Sequence, residues 1–353
     1  MSEDLAQRKP RAAQSLRDLQ ELGLIDSSIT PELQAVADKY AIGLTPHIIE
    51  MIRAHGPNSP IARQYIPTHE ELNVNERELE DPIGDLAHSP VPGIVHRYQD
   101  RVLLNVIKTC AVYCRFCFRR ETVGPGTRGL DSAQLEVALR YIRQNSQIWE
   151  VILSGGDPLT LSNRRLSALL DELGRIDHIA VARFHTRVPA VAPERITDDL
   201  ISALHSGPTT YIVIHINHPD ELTKRVKDAI AQLTANGVPV LSQTVLLRTI
   251  NDSAETLGRL FKQLAKARVK PYYLHHPDLA IGTQHFRLSI QEGQRIFSEL
   301  RQKNSGLTLP QYVLDLPGGH GKVPISSSYI ETKSGSQYKI KDSRGNSHSY
   351  IDT

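Results

Sequence analysis

An incomplete α/β barrel is the fold that this chain of 353 residues predicts, with six strand–helix repeats and one more strand. Three observations carry the expectation. Apolar runs of strand length recur at 102–107, 150–153, 180–185, 211–216, 239–247, 271–275 and 311–314. Amphipathic stretches of helical period lie between them, at 132–143, 163–173, 194–205, 219–236, 253–266 and 289–302. Residues with reactive or ligand-binding side chains gather where the strands end. Strands that alternate with helices imply parallel neighbours, because a crossover is needed to start the next strand in the same direction. Six such units favour a partial (β/α)6 barrel over a flat doubly wound sheet.

The elements before and after the barrel read differently. Residues 1–93 form an irregular, mostly helical extension and connector. Thr30-Pro31 and Thr45-Pro46 each give a helix start, with threonine at the N-cap and proline at the first helical position. The stretch 57–92 carries several prolines and many acidic residues, which suits a wrapping connector better than a packed element. The barrel occupies 94–324. The polar tail, 325–353, has Gly/Ser-rich turns at 333–336 and 343–346, and short hairpin-like strands are expected there, capping the barrel.

Bulk composition narrows the function classes. With 40% hydrophobic and 23% charged residues, the chain is an ordinary soluble globular protein. A net charge of only +2 gives no electrostatic footprint for nucleic acid or an anionic membrane. No apolar run reaches membrane-spanning length. The first ten residues hold no apolar signal core, so export is not expected. Three cysteines in such a chain argue for reduced thiols and a cytoplasmic location.

Those three cysteines carry the chemistry. Cys110, Cys114 and Cys117 are the only thiols, and they fall in one run just after the first barrel strand. A structural zinc site takes four protein ligands. A [4Fe–4S] cluster also takes four, so three thiolates leave one iron open to another ligand. The C-x3-C-x2-C spacing, with Phe116 before the last cysteine, resembles the radical S-adenosylmethionine (SAM) enzymes. In that superfamily the open iron chelates the methionyl part of SAM. Other unusual residues recur at strand ends, where α/β barrels place their active sites. Ser154-Gly155-Gly156-Asp157 follows the second strand and resembles the segment that holds the methionyl amino group of SAM, glycine allowing close backbone approach. Thr186-Arg187 follows the third strand and His215 ends the fourth. Gln243 lies in the fifth and Asp278 after the sixth. The two histidines of His215-Ile-Asn-His218 point to opposite faces of a strand, which argues against a second metal.

A narrower family is visible in the order of the motifs. The runs 96–101, 110–120, 154–158, 186–189, 285–287 and 315–322 together resemble the lysine 2,3-aminomutases, from about residue 25 to the end of the chain. The resemblance implies a partial (β/α)6 radical SAM barrel and a second cofactor, pyridoxal 5'-phosphate (PLP), held covalently on Lys322. It also implies that Arg97, Tyr98 and Arg101 cradle the PLP phosphate, a suitable task for guanidinium forks. Gln243 matches a position near the SAM ribose, Arg119 the arginine that grips the substrate α-carboxylate, and Asp278 and Asp315 the carboxylates that hold its distal ammonium. The implied reaction interconverts L-α-lysine and β-lysine, with a donor such as flavodoxin or ferredoxin feeding the cluster and a homo-oligomeric assembly. His275 stands where clostridial-type members carry tyrosine. In this respect the chain is similar to the branch that prepares β-lysine for elongation factor P. The remaining alternatives are an aminomutase of arginine or glutamate, a SAM-cleaving enzyme without PLP, and a non-catalytic metal-binding module.

Overall fold

Nine strands form one sheet in chain order: β1 (Ile94–Tyr98), β2 (Arg101–Ile107), β3 (Glu150–Gly155), β4 (Val181–Thr186), β5 (Thr209–His215), β6 (Val240–Val245), β7 (Lys270–His275), β8 (Gln311–Leu316) and β9 (Gly321–Pro324). The computed structural model describes residues 11–26, 28–342 and 344–353. The opening segment that argued against export therefore lies outside the described residues. Strands β2 to β8 run parallel, and β1 and β9 pair antiparallel at the two edges. The sheet curls until those edges approach: the Lys322 backbone N–H on β9 donates to the Tyr98 hydroxyl of β1 at 2.8 Å. The partial barrel is borne out, with an antiparallel strand added at each side.

Each face of the curled sheet has its own filling. The outer face carries Val102, Leu104, Val151, Leu153, Ala182 and Ile212 into one large core with the surrounding helices. Alternate residues point into the lumen, as the two-residue period of a strand requires. Val95, Ile152, Val213 and Val313 are buried yet stand apart from the helix-packed core, and they floor the lumen.

The helix starts follow the capping chemistry of the sequence. Thr30 and Thr45 accept from Leu33 N–H and Ile48 N–H at the heads of Pro31–Lys39 and Pro46–His55. Two expected helices are shorter. Thr197 caps Asp198–Leu204 and Thr223 caps Lys224–Ala235, so 194–196 and 219–222 are separate turns. A threonine accepting a backbone N–H holds non-helical dihedrals, which interrupts the apparent periodicity.

The connector differs more. Within 57–92 lies a helix, Pro60–Tyr65, whose Ile61, Ala62 and Tyr65 are wholly buried, and Glu71 is buried as well. The part 59–67 packs into the body, whereas 72–77 is exposed, as a wrapping connector would be. The tail forms β10 (Ile330–Ser334), β11 (Gln337–Lys341) and β12 (Ser347–Ile351), a separate antiparallel sheet. Its first turn is at 334–337, and the second includes Ser343, which is outside the described residues. β10 and β12 are exposed along their whole length, so this sheet does not cap the barrel.

Candidate active site

The three cysteines sit on the loop after β2 and line one cavity, whose walls include Tyr40, Val112, Tyr113 and Val123. That loop is held from outside the barrel. Arg115 donates from Nε to Glu71 Oε1 at 3.0 Å, Arg120 pairs with the same carboxylate, and Arg115 N–H donates to Gln64 O at 2.9 Å. Glu71 is fully enclosed, and the two guanidinium groups hold its carboxyl below the usual range although burial opposes them. Burial lifts the Cys110 thiol and raises Cys117 to about 11. Coordination to iron removes such a proton outright. Among the described residues no three His, Cys, Asp or Glu converge on a single ion. Three thiols with no fourth cysteine in the chain suit a [4Fe–4S] cluster that keeps one iron open to another ligand.

The segment after β3 closes on the cysteine loop. Gly155 has φ +105°, and a Cβ there would stand 2.4 Å from Ile107 O. A Cβ on Gly156 would lie 2.4 Å from Thr109 O. The glycines therefore admit the neighbouring backbone, a constraint that close approach to a ligand does not explain. Asp157 is likewise internal: its carboxylate accepts from Thr186 Oγ1 and Arg187 N–H, both at 2.7 Å, and from Leu159 N–H at 3.1 Å. Those bonds tie the β3 and β4 loops together. Ser154 Oγ is 3.5 Å from Arg119 NH1, at the limit of a hydrogen bond.

Around Lys322 the expected residues converge. Its Nζ donates to both Asp315 oxygens at 2.6 Å, and His275 Nδ1 stands 3.5 Å from the same carboxylate. Burial works against ionisation of Asp315, yet His275 and Lys322 keep its carboxyl well below the ordinary range. Asp278 goes the other way, raised to about 7 by burial and by the charge of Asp315. Tyr98 bonds the Lys322 backbone, and Arg101 lies 3.8 Å over the Tyr98 ring while pairing with Asp100. Arg97 and Arg119 share one carboxylate, Asp85, at 3.0 and 2.7 Å. Asp85, Arg119, Asn105 and Gly155 line a cavity of about 400 Å³. Gln243 sits in β6 between His215 and Tyr273, in register with both.

Several buried polar atoms have no partner: Arg97 Nε, Asn105 Oδ1, Ser242 Oγ, and Nε2 of His185, His215 and His275. Burial depresses the three imidazoles, which stay neutral. Native interiors satisfy such atoms with protein, water or ligand. Sequence reasoning missed Glu71, Gln64, Asp85 and the Arg115/Arg120 pair as parts of this arrangement. Two arginines flanking the last cysteine were the one available signal. A buried cation needs a carboxylate, but its position in the chain cannot be read from spacing.

Fold and site together define a radical SAM protein, and the sequence model of the Radical SAM superfamily matches residues 104–261. The L-lysine 2,3-aminomutase of Clostridium subterminale is 38% identical over 304 residues, which cover 86% of this chain and 73% of that one. The enzyme of the same name from Acetoanaerobium sticklandii is 36% identical over 321 residues, 90% of this chain and 78% of that one. Glutamate 2,3-aminomutase of Clostridioides difficile is 36% identical over 301 residues, 85% and 71% of the two chains. This chain belongs to the lysine 2,3-aminomutase family of radical SAM isomerases. That family works with a [4Fe–4S] cluster, SAM and PLP. The three-thiol cavity, the partnerless Asn105 and histidine atoms of the lumen and the free Nε of Arg97 beside the Lys322 site fit all three.

Proposed function

We propose that this protein is an L-lysine 2,3-aminomutase, interconverting L-α-lysine and β-lysine. One observation carries the choice of substrate: Asp315, with Asp278 beside it, already grips a primary alkylammonium, that of Lys322, at 2.6 Å to each oxygen. A lysine substrate presents the same group. When bound, the cluster and SAM supply a hydrogen-abstracting radical, and PLP supplies the carbonyl that carries the migrating nitrogen. Cys110, Cys114 and Cys117 hold the cluster, and the segment 154–157 with Gln243 forms the SAM side. Lys322 anchors PLP, with Arg97, Tyr98 and Arg101 at its phosphate. Arg119 takes the substrate α-carboxylate, while Asp278 and Asp315 take the distal ammonium. Fixing both ends of the substrate sets carbon 3 at one place in the lumen and excludes water from it.

Glutamate is the competing substrate, and two adjacent carboxylates disfavour its side-chain anion. An anaerobic assay with lysine, glutamate or arginine, each with SAM, PLP and a reductant, tests the reading. β-Lysine as the product supports it, and β-glutamate alone would overturn it. No helix among the described residues is long and apolar enough to cross a membrane. We place the enzyme in the cytoplasm, fed by a flavodoxin- or ferredoxin-type donor. We infer a homo-oligomer from the tail sheet, whose Ile330 and Tyr350 are more than half exposed on the face they share with Tyr338 and Ile340.

A further inference from the structure

Arg187, directly after β4, has no task in the reaction outlined above. Its side chain is buried, and its two terminal nitrogens make three hydrogen bonds. NH1 donates to Cys114 Sγ at 3.0 Å, while NH2 donates to Gln64 Oε1 at 2.9 Å and Glu221 Oε2 at 2.7 Å. Nε is buried without a partner. The guanidinium carbon lies 5.4 Å from the centre of the Phe116 ring and 5.2 Å from that of Tyr65. Glu221 is also enclosed, and its Oε1 accepts the Asn217 and His218 N–H groups, both at 2.8 Å.

The carboxylate and the sulfur meet different nitrogens of one guanidinium. Glu221 balances the charge at NH2, and NH1 presents the positive end of the pair to the thiol. We propose that Arg187 is a positioning residue that tunes the cluster, acting through Cys114 to raise its reduction potential. Reduction adds one electron from a low-potential donor to the cluster, makes or breaks no bond, and places more negative charge on the sulfurs. A hydrogen bond and a cation at a ligand sulfur stabilise that reduced state over the oxidised one. Dry surroundings strengthen the effect, since charges interact more strongly where water is excluded. The inference rests on the cluster assignment, which iron and sulfide analysis of the wild-type protein tests separately.

The experiment is a reductive titration of the anaerobically reconstituted full chain, without SAM or substrate, followed by electron paramagnetic resonance of the reduced cluster. Arg187→Lys keeps a charge but has no second arm to reach both Glu221 and Cys114. The double variant R187M/E221Q removes the pair without stranding a buried carboxylate. In both, the midpoint should move to more negative potential, further in the double variant. Glu221→Gln alone, which removes the opposing charge, should move it upward. A midpoint unchanged or raised in either arginine variant that holds its full iron would overturn the proposal, as would a fall in Glu221→Gln. Loss of iron from both arginine variants would make Arg187 a structural prop and overturn it equally.

Discussion

At Lys322 an amine expected from the family resemblance meets a contact the sequence could not show, its pairing with Asp315. Lys322→Ala should abolish the borohydride-reducible PLP linkage while leaving iron content unchanged, because the cysteines lie on a different loop. Peptide mapping that finds the reduced label on another lysine would refute the assignment. Asp315→Asn should cut lysine turnover by some hundredfold to several thousandfold, the kinetic equivalent of the about 3–5 kcal/mol lost on breaking a buried charge pair. Unchanged kinetics would reduce Asp315 to a loop former. Asp278 gives a pH signature. Its carboxyl is raised to about 7, and only the ionised form attracts an ammonium. Lysine affinity should therefore climb as pH rises from about 6 to about 8, by up to tenfold per unit on the acid side, and Asp278→Asn should flatten the profile. The cysteines were legible from their type and spacing, whereas Lys322, Arg119, Asp278 and Asp315 were legible only through the family resemblance. Asp157 was not, because a carboxylate in a turn looks the same whether it meets a ligand or the adjacent loop's N–H groups.

Among elements, the cysteine loop depends on a short 3-10 turn far earlier in the chain. Glu71, in His69–Leu72, is the buried counter-charge for Arg115 and Arg120. Glu71→Gln leaves two enclosed cations short of an anion. It should lower unfolding stability by about 3–5 kcal/mol and release iron faster than wild type, as read by denaturant titration and iron retention. A stable variant with full iron would show that the loop holds itself. Helix starts were legible because a capping threonine followed by proline is a local signal. The interruptions at Thr197 and Thr223 were not, since apolar spacing continues across them and only the capping bond breaks the helix. The packing of 59–67 escaped for a related reason: a proline at a helix start, here Pro60, looks like a loop proline until its partners are known.

On the scale of the whole molecule, the barrel was legible from alternating periods, and the dependence of its parts on one another was not. Contacts such as Gln64 with Arg187 and Asn217 join the extension to the barrel across more than a hundred residues. A fragment of residues 94–324 should accordingly lack a cooperative unfolding transition. Removal of residues 330–353 should leave the barrel's transition in place and change only the assembly state, as measured by sedimentation. A collapse of the transition in that truncation would show that the exposed sheet supports the fold.

The meeting of Tyr98 with Lys322 spans 224 positions of sequence. Contacts of such separation form late, after the chain has paid the entropy of closing a long loop. During synthesis, the thiols emerge long before the last barrel strand leaves the ribosome. Lys322, proposed here as the PLP anchor, lies on β9, the last barrel strand to arrive, and only then can β9 meet β1. A product terminated before Lys322 would thus contain the proposed cluster ligands but not the proposed PLP anchor. Completion of the polypeptide becomes the condition for assembling the reaction chamber.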